Sequence, residues 1–152
     1  LVHYGDIYTT MDYSAFIQDW WNRRMPLTGM LAVTKDVRHD YSEVRMRKNL
    51  ANGELILDRF VEKPRLTEPT WTGIAIFHRK KILKYIEKKI GGRADMAKST
   101  YLEFAVDIIE PYIEHHKQEI ATHEFAGEWH DIGNLRAYQK LQERFITEQL
   151  II

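Results

Sequence analysis

Hydrophobic residues along the chain follow two periods, one typical of helices and one typical of strands. In the helical stretches apolar side chains recur three or four residues apart, as Phe16 and Trp20 do. Capping residues mark where such stretches begin, because their side chains bond free backbone N–H groups of the first turn. Helices are therefore predicted over 12–24, 80–90 and 100–111 and after Asn134, the last with Leu135, Tyr138, Leu141 and Phe145 on its buried side.

Short apolar runs lie between these helices and predict strands. Residues 28–34 and 71–78 are almost continuously apolar, which is typical of strands buried on both faces. Residues 1–4 read as the end of a buried strand, and 119–125 as another strand, with a loop over 127–133.

A β-hairpin is predicted in the middle of the chain. Val44 and Met46 alternate with polar residues, and a second strand-like run covers 54–61. Asn52-Gly53 lies between the two runs, and both residues tolerate the positive φ of a tight turn. Pro64 would end the ladder, because proline has no N–H to donate.

The alternation of helices with strands predicts an α/β domain with a mostly parallel sheet. In such sheets ligands bind beyond the carboxyl ends of the strands. Asp6 follows Gly5 at one predicted strand end, and Glu62-Lys63 follows another. These ends are therefore where chemistry is expected.

Composition narrows the class of protein. The chain has 152 residues, 44% of them hydrophobic, which suits one domain with a real core. Its 22 basic and 22 acidic residues balance, which argues against a nucleic-acid partner. The absence of cysteine excludes disulfide scaffolds, thiolate metal sites and thiol nucleophiles. No apolar run approaches the ~20 residues of a bilayer span, so we expect a cytoplasmic protein without a membrane partner.

Three segments carry candidate chemistry. A carboxylate such as Asp6, after a glycine at a strand end, could hold a divalent cation, although it could equally make only a turn. Glu62 could accept two sugar hydroxyls and Lys63 could neutralise a phosphate, or the two could form a solvated ion pair. Asp131 lies between two glycines and before a helix N-terminus, in a segment that could instead be a capped loop.

The order of these segments resembles the sugar-phosphate nucleotidyltransferases, the NDP-sugar pyrophosphorylases. The matching motifs are Val-x-x-Gly-Asp, Phe-x-Glu-Lys-Pro, Thr-Gly-Ile-x-Ile-Phe and Gly-x-Trp-x-Asp-Ile-Gly, at 2–6, 60–64, 72–77 and 127–133. The resemblance implies a Rossmann-like fold with an inserted hairpin, of which residues 1–152 form the later, sugar-phosphate-binding part of one catalytic domain. It implies further that an N-terminal half, on the same or a separate chain, completes the domain, and that a homo-oligomer is possible.

The resemblance also implies an activity and its residues. The family joins a sugar 1-phosphate to a nucleoside triphosphate and releases pyrophosphate, with Mg²⁺ as cofactor in nucleotide-sugar biosynthesis. By this resemblance Asp6 and Asp131 are the metal ligands, and Lys63 the base that meets the sugar phosphate. Glu62, Lys63, Tyr41, Thr72 and Gly73 are the substrate-binding residues, and Asp6, Asp131 and Lys63 the catalytic ones.

The sequence departs from the family pattern in several places. The glycine-rich G-x-G-T-R-L loop that wraps the triphosphate does not occur in the 152 residues. Ser42 stands where the family has a glycine close to the sugar, Asn134 replaces a usual threonine, and Ala75 a common tyrosine. An isolated chain of this kind is expected to bind nucleoside triphosphate poorly.

Two other functions stay open at this point. The fold could serve as a non-catalytic regulatory or assembly module, which the missing loop and Ser42 favour. The two candidate metal carboxylates favour the enzyme. A nucleotide-sugar glycosyltransferase would carry an Asp-x-Asp motif, and none occurs. The histidines fit no two-His helical metal motif, and a G-x-S-x-G nucleophile elbow is also lacking.

Overall fold

The structure is a computed structural model that describes residues 1–23, 27–35, 37, 42–49, 53–91, 103–116 and 118–149. These residues form eight strands and four α-helices, one of them continuous with a π-helical segment. The strands are β1 (Val2–His3), β2 (Ile7–Thr9), β3 (Gly29–Thr34), β4 (Glu43–Lys48), β5 (Leu55–Val61), β6 (Thr70–Phe77), β7 (Ile120–Glu124) and β8 (Trp129–Asp131). The helices are α1 (Tyr13–Asn22), α2 (Arg79–Gly91), α3 (Glu110–His115), which follows the π-helical Phe104–Ile109, and α4 (Leu135–Gln149).

The main sheet has four strands in the order β1-β6-β3-β7. The α/β class is confirmed, but the strand directions are mixed, since β3 runs parallel to β7 and antiparallel to β6, and β1 is antiparallel to β6. The predicted mostly parallel sheet is therefore corrected. The reason lies in the connection, because the chain leaves β3 at Thr34, passes through the hairpin and enters β6 at Thr70, which pairs with Thr34 at the same end of the sheet.

Both faces of β3 are covered, as its apolar run predicted. Met30 and Ala32 pack in one cluster with Phe16 of α1, whereas Leu31 and Val33 point to the other face. Side chains of a strand alternate between faces, so one continuous apolar run needs cover on both sides. Helix α1 supplies it on the first face and the π-helical segment, through Ile109, on the second.

The first strand differs from its prediction. Residues 1–4 were expected to end a buried strand, but β1 is an edge strand of the main sheet in the described part of the chain. Leu1 is 65% exposed and Val2 is 37% exposed. Apolar residues at the chain's first positions therefore line the surface, and a groove continues from them between Leu83 and Phe104.

The predicted hairpin is confirmed as an antiparallel pair of β4 and β5. Gly53 has φ +74°, the left-handed conformation that the turn requires, while Asn52 lies outside the described residues. The register shifts between Arg45 and Met46, so that Met46 lies opposite Leu57. This bulge keeps the apolar side chains of both strands on one face, which is more than half exposed at Val44, Met46, Leu55, Leu57 and Phe60.

The helices after the main sheet differ in detail from the pattern. The start of the helix predicted over 100–111 lies outside the described residues, and the helix does not stop at Pro111, because this proline occupies the first turn of α3, where no N–H is needed. Asn134 caps α4 as predicted, with Oδ1 accepting from Ala137 N at 2.9 Å. Only Leu141 of the predicted apolar face is buried, since the other three residues are between 37% and 70% exposed. No helix of the described ranges has the length and apolar character to cross a membrane.

A three-residue ionic contact joins α1 to the sheet. Asp19 accepts two hydrogen bonds from Arg23 at 2.9 Å each and lies 2.8 Å from Nδ1 of His123 in β7. The hydrogen bond from Arg23 is the main cause that lowers the pKa of Asp19 to about 2, with a smaller contribution from His123 and an opposing one from burial.

This contact predicts a pH dependence of stability. The pKa of Asp19 is lower in the folded chain than its ordinary value of 3.8, so the ionised carboxylate stabilises the fold above about pH 4 and this gain disappears as the pH falls towards about 2. Because the pair is partly exposed, we expect at most about 1 kcal/mol. Urea unfolding at a series of pH values should show a steeper acid loss for wild type than for Asp19→Asn; parallel profiles would contradict the prediction.

Candidate metal and sugar-phosphate site

A short antiparallel ribbon of β2 and β8 positions the two predicted metal ligands. The register pairs Ile7 with Asp131 and Thr9 with Trp129. The backbone N–H of Ile132 also donates to the carbonyl oxygen of Asp6 at 2.8 Å. The predicted loop over 127–133 is thus corrected, because its middle three residues form a strand. This strand brings residues more than a hundred positions apart to the same end of the ribbon.

The side chains of Asp6 and Asp131 meet beside Gly133. A Cβ on Gly133 would lie 3.0 Å from Oδ2 of Asp6 and 3.1 Å from Oδ1 of Asp131. The N–H of Gly133 donates to the same Asp131 oxygen at 2.8 Å, which fixes the carboxylate. Two acidic oxygens therefore surround one point that only a glycine leaves open.

The chemistry of this donor set suits a hard cation. Carboxylate oxygens are the ligands that Mg²⁺ prefers, and Mg²⁺ is often held by only one or two of them together with substrate phosphates. No group of three or more His, Asp or Glu side chains able to hold a metal occurs among the described residues. The two aspartates thus fit a magnesium ion that is shared with a phosphate rather than one enclosed by the protein.

Thr72 and Gly73 lie directly beneath this ribbon. The Thr72 carbonyl accepts from Nε1 of Trp129 at 3.0 Å, and the Gly73 carbonyl accepts from the N–H of Tyr4 at 3.1 Å. Gly73 has φ +77°, and a Cβ there would lie 3.2 Å from the Tyr4 ring. A side chain at this position would therefore be strained and would push on the segment that carries Asp6.

The side chain of Thr72 does not line a ligand pocket in this structure. It is fully buried, and its hydroxyl donates to the carbonyl oxygen of Ala32 at 2.9 Å. The expectation that Thr72 is a substrate-binding residue stays a prediction. The side chain of Thr72 points from β6 into the core, whereas its backbone carbonyl accepts the hydrogen bond from Trp129.

Glu62 and Lys63 lie at the exposed end of β5. The hydroxyl of Ser42 donates to Oε2 of Glu62 in a short hydrogen bond. Lys63 has φ 45°, an uncommon conformation for a residue other than glycine, which turns the chain sharply at this point. Among the described residues no hydrogen bond or ion pair joins Glu62 or Lys63 to the two aspartates. Tyr41 lies outside the described residues.

Residues that the sequence did not reveal tie the ribbon together. Glu128, just before β8, accepts from Thr9 Oγ1 at 2.8 Å and from Thr10 N at 3.1 Å with its carbonyl oxygen. Its carboxylate binds Arg144 of α4 at 2.5 Å, and this hydrogen bond is the main cause that lowers the pKa of Glu128. No spacing signal links these positions, because the contacts join distant segments.

A groove near the main sheet lies away from this site. It is formed by the end of α1 and the start of α2, with Trp20, Trp21 and Phe77 among its walls. Its lining includes basic residues but no carboxylate and none of the site residues discussed above. The groove therefore does not compete with the Asp6–Asp131 site as a place for a metal.

Comparison with known proteins identifies a family and solved structures of similar fold. The fold resembles a crystal structure of a candidate glucose-1-phosphate thymidylyltransferase from Bacillus anthracis, solved with sucrose, at a TM-score of 0.55 and 20% sequence identity. The likeness covers 90% of this chain but only 50% of that one, so the chain spans half the length of this relative. A search of curated proteins found no match.

The family evidence comes from the sequence itself. A family model described as nucleotidyl transferase matches residues 1–148, nearly the whole chain. This span contains the paired aspartates, the hairpin and the ribbon, and the structural likeness independently supports the corresponding α/β fold. The chain therefore belongs to the nucleotidyl transferase family, and the sequence-based resemblance to sugar-phosphate nucleotidyltransferases is confirmed.

Proposed function

We propose that this chain supplies the sugar-phosphate and metal side of an enzyme that joins a sugar 1-phosphate to a nucleoside triphosphate and releases pyrophosphate. The observation that carries the proposal is the convergence of Asp6 and Asp131 on one point beside Gly133. A family fold alone does not require this arrangement, whereas a phosphate-bridging metal does.

Each candidate residue has a task in this reaction. Asp6 and Asp131 would hold Mg²⁺, which when bound supplies positive charge that neutralises and aligns the phosphates. Lys63, whose side chain is exposed, would meet the sugar phosphate as a point charge. Glu62 would accept sugar hydroxyls with its carboxylate. Gly73 would let Tyr4 and the Asp6 segment lie close to β6.

The test uses the chain itself, because the sugar-phosphate side lies within it. Isothermal titration with glucose 1-phosphate, with and without Mg²⁺, should show binding that depends on the metal. Binding that is equal in the two conditions, or none at millimolar ligand, would contradict the proposal.

The nucleoside triphosphate would be bound mainly by polypeptide outside these 152 residues. The triphosphate loop of the family does not occur in the sequence, and the chain spans half of its structural relative. An apolar groove beside the edge strand β1, lined by Leu1, Val2, Leu83, Ile86 and Phe104, supports packing of this N-terminal half there. A homo-oligomer and a cytoplasmic location stay predictions.

This division of labour predicts weak triphosphate binding by the isolated chain. Each common nucleoside triphosphate, titrated with Mg²⁺, should bind more weakly than the micromolar range, because the aspartates act on the phosphates only through the metal and the N–H donors of the family's loop are lacking. Micromolar binding by the isolated chain would contradict the division.

Ser42 predicts a second measurable effect. Its hydroxyl occupies one Glu62 oxygen that a sugar hydroxyl would otherwise use. Ser42→Ala should therefore strengthen glucose 1-phosphate binding about threefold to tenfold, the worth of one hydrogen bond. Ser42→Thr keeps the hydroxyl and is the matched control, for which no gain is expected. An Ala variant that binds no better than the Thr variant would show that Glu62 does not hold the sugar.

A non-catalytic assembly module is the second candidate, favoured by the same Ser42–Glu62 contact, because it occupies the predicted sugar ligand. Such a module needs no metal-dependent ligand binding. The titration with and without Mg²⁺ therefore also separates the two functions.

A further inference from the structure

The ion pair between Arg144 and Glu128 links α4 to the start of β8, the strand that carries Asp131. Nη2 of Arg144, in the third turn of α4, lies 2.5 Å from Oε1 of Glu128, and Nε of Arg144 binds Glu148 at 2.7 Å. Residues 128 to 144 run from the ribbon into α4 and include Asp131 and Gly133. The ion pair joins the two ends of this segment. The contact thus fixes α4 against the ribbon that carries a candidate metal ligand.

Glu128 also sets the register of that ribbon. Its N–H donates to Oγ1 of Thr10 at 2.9 Å, and its carbonyl accepts from both Thr9 and Thr10. Glu128 therefore anchors the end of the ribbon opposite to Asp131. Because a strand is stiff over three residues, a shift at one end is carried to the other.

The second oxygen of Glu128 has no such anchor. Oε2 of Glu128 and Nε2 of His130 are both buried and lack a hydrogen-bond partner among the described residues, and they lie 3.6 Å apart. Arg144 is thus the contact that holds the carboxylate where it is. His130, the residue directly before Asp131, lies within 3.6 Å of the same carboxylate.

Helix α4 also packs against β2, the other strand of the ribbon. Phe145, next to Arg144, packs edge-on against Tyr8 of β2 at 5.3 Å between ring centroids, and Tyr8 lies 6.0 Å from the His130 ring. The packing contact is apolar and tolerates sliding, whereas the ion pair is directional. The directional element of this interface is therefore Arg144.

We propose that Arg144 is a positioning residue that holds Asp131 in its metal-binding place through Glu128. The proposal rests on the metal role assigned to Asp6 and Asp131 under the proposed function. Arg144 would touch neither metal nor substrate. Its effect would pass along the backbone of β8, from Glu128 through His130 to Asp131.

The test is Mn²⁺ affinity, measured by electron paramagnetic resonance on the chain together with its thermal midpoint. Arg144→Gln should weaken Mn²⁺ binding about tenfold or more, as loss of groups that orient metal ligands does, with a small change in midpoint. Glu128→Gln should do the same, and the double variant should lose no more than either alone, because both act through one contact.

Two further variants keep the test decisive. Arg144→Lys preserves the positive charge beside Glu128 and should retain most of the Mn²⁺ affinity. If Arg144 only stabilised the helix, the Mn²⁺ affinity would not depend on this charge. Arg136→Gln changes an exposed arginine of the same helix whose side chain has no hydrogen bond or ion pair among the described residues, and it should bind Mn²⁺ as wild type does. Wild-type affinity in Arg144→Gln, or a loss in Arg144→Lys as large as in Arg144→Gln, would overturn the proposal. A wild-type chain that binds no Mn²⁺ would instead overturn the proposed function on which it rests.

Discussion

Replacing Asp131 with asparagine is expected to abolish Mg²⁺-dependent binding of glucose 1-phosphate by the chain. In the complete catalytic domain, pyrophosphate release should fall at least about 100-fold, the loss typical of removing one charge-stabilising group. Asparagine is nearly the same size and keeps an oxygen for the hydrogen bond from Gly133, which is 2.8 Å long in wild type. The change therefore removes charge from the site while the ribbon stays folded.

Two companion variants make this prediction specific. Asp6→Asn should give the same loss, because its oxygen borders the same point beside Gly133. Asp58→Asn is the matched control, since this exposed aspartate of the hairpin pairs with Arg47 at 3.2 Å and takes no part in the site. Activity that survives both Asp131→Asn and Asp6→Asn would exclude the metal role and would favour an assembly module.

Replacing Phe16 with alanine is expected to lower the free energy of unfolding by about 3–5 kcal/mol. Phe16 is fully buried in the cluster with Met30 and Ile74, and its ring lies 5.2 Å from that of His123. Its removal leaves a cavity between α1 and the main sheet that neighbours fill only partly. This is a large share of the roughly 5–15 kcal/mol that ordinary domains have.

Urea unfolding of the chain measures this loss, with Trp21→Ala as its control. Trp21 lies on the same helix and is 76% exposed, so its replacement should change the free energy of unfolding by no more than about 0.5 kcal/mol. If the two variants unfold at the same urea concentration, α1 does not pack on the sheet through Phe16.

The helices and the buried strands could be predicted because their signals are local. The apolar run of β3 and the helical spacing of Phe16 and Trp20 in α1 each lie within a few residues, and the structure confirms both elements. The hairpin was predictable for the same reason, since Gly53 marks its turn. Periodicity and capping decide such elements before any distant contact forms.

The direction and exposure of the elements could not be predicted in the same way. The ribbon of β2 and β8 consists of three-residue strands, and the hydrogen bond from Thr9 to Glu128 spans 119 positions. No local pattern records which strand lies beside which, so both the mixed sheet and the edge position of β1 differ from expectation. Exposure of α4 likewise depends on what covers it, which leaves Leu135 exposed despite its helical spacing.

The candidate site likewise contains residues that the sequence predicted and residues that only the fold reveals. Asp6 and Asp131 were recognised from their motifs, and the structure places them around one point. The hydroxyl of Thr72 donates to Ala32 in the core, a contact that the motif did not predict, because a motif does not state which way a strand residue faces. Glu128 and Arg144 belong to no motif, and only the fold brings them together.

A titration with Mn²⁺ decides whether Asp6 and Asp131 bind one divalent cation together. Mn²⁺ replaces Mg²⁺ at carboxylate sites and is counted by electron paramagnetic resonance. We expect one Mn²⁺ per wild-type chain, an affinity that rises when glucose 1-phosphate is added, and a loss of this site in Asp6→Asn and in Asp131→Asn but not in Asp58→Asn. Equal Mn²⁺ binding by wild type and all three variants would contradict the account.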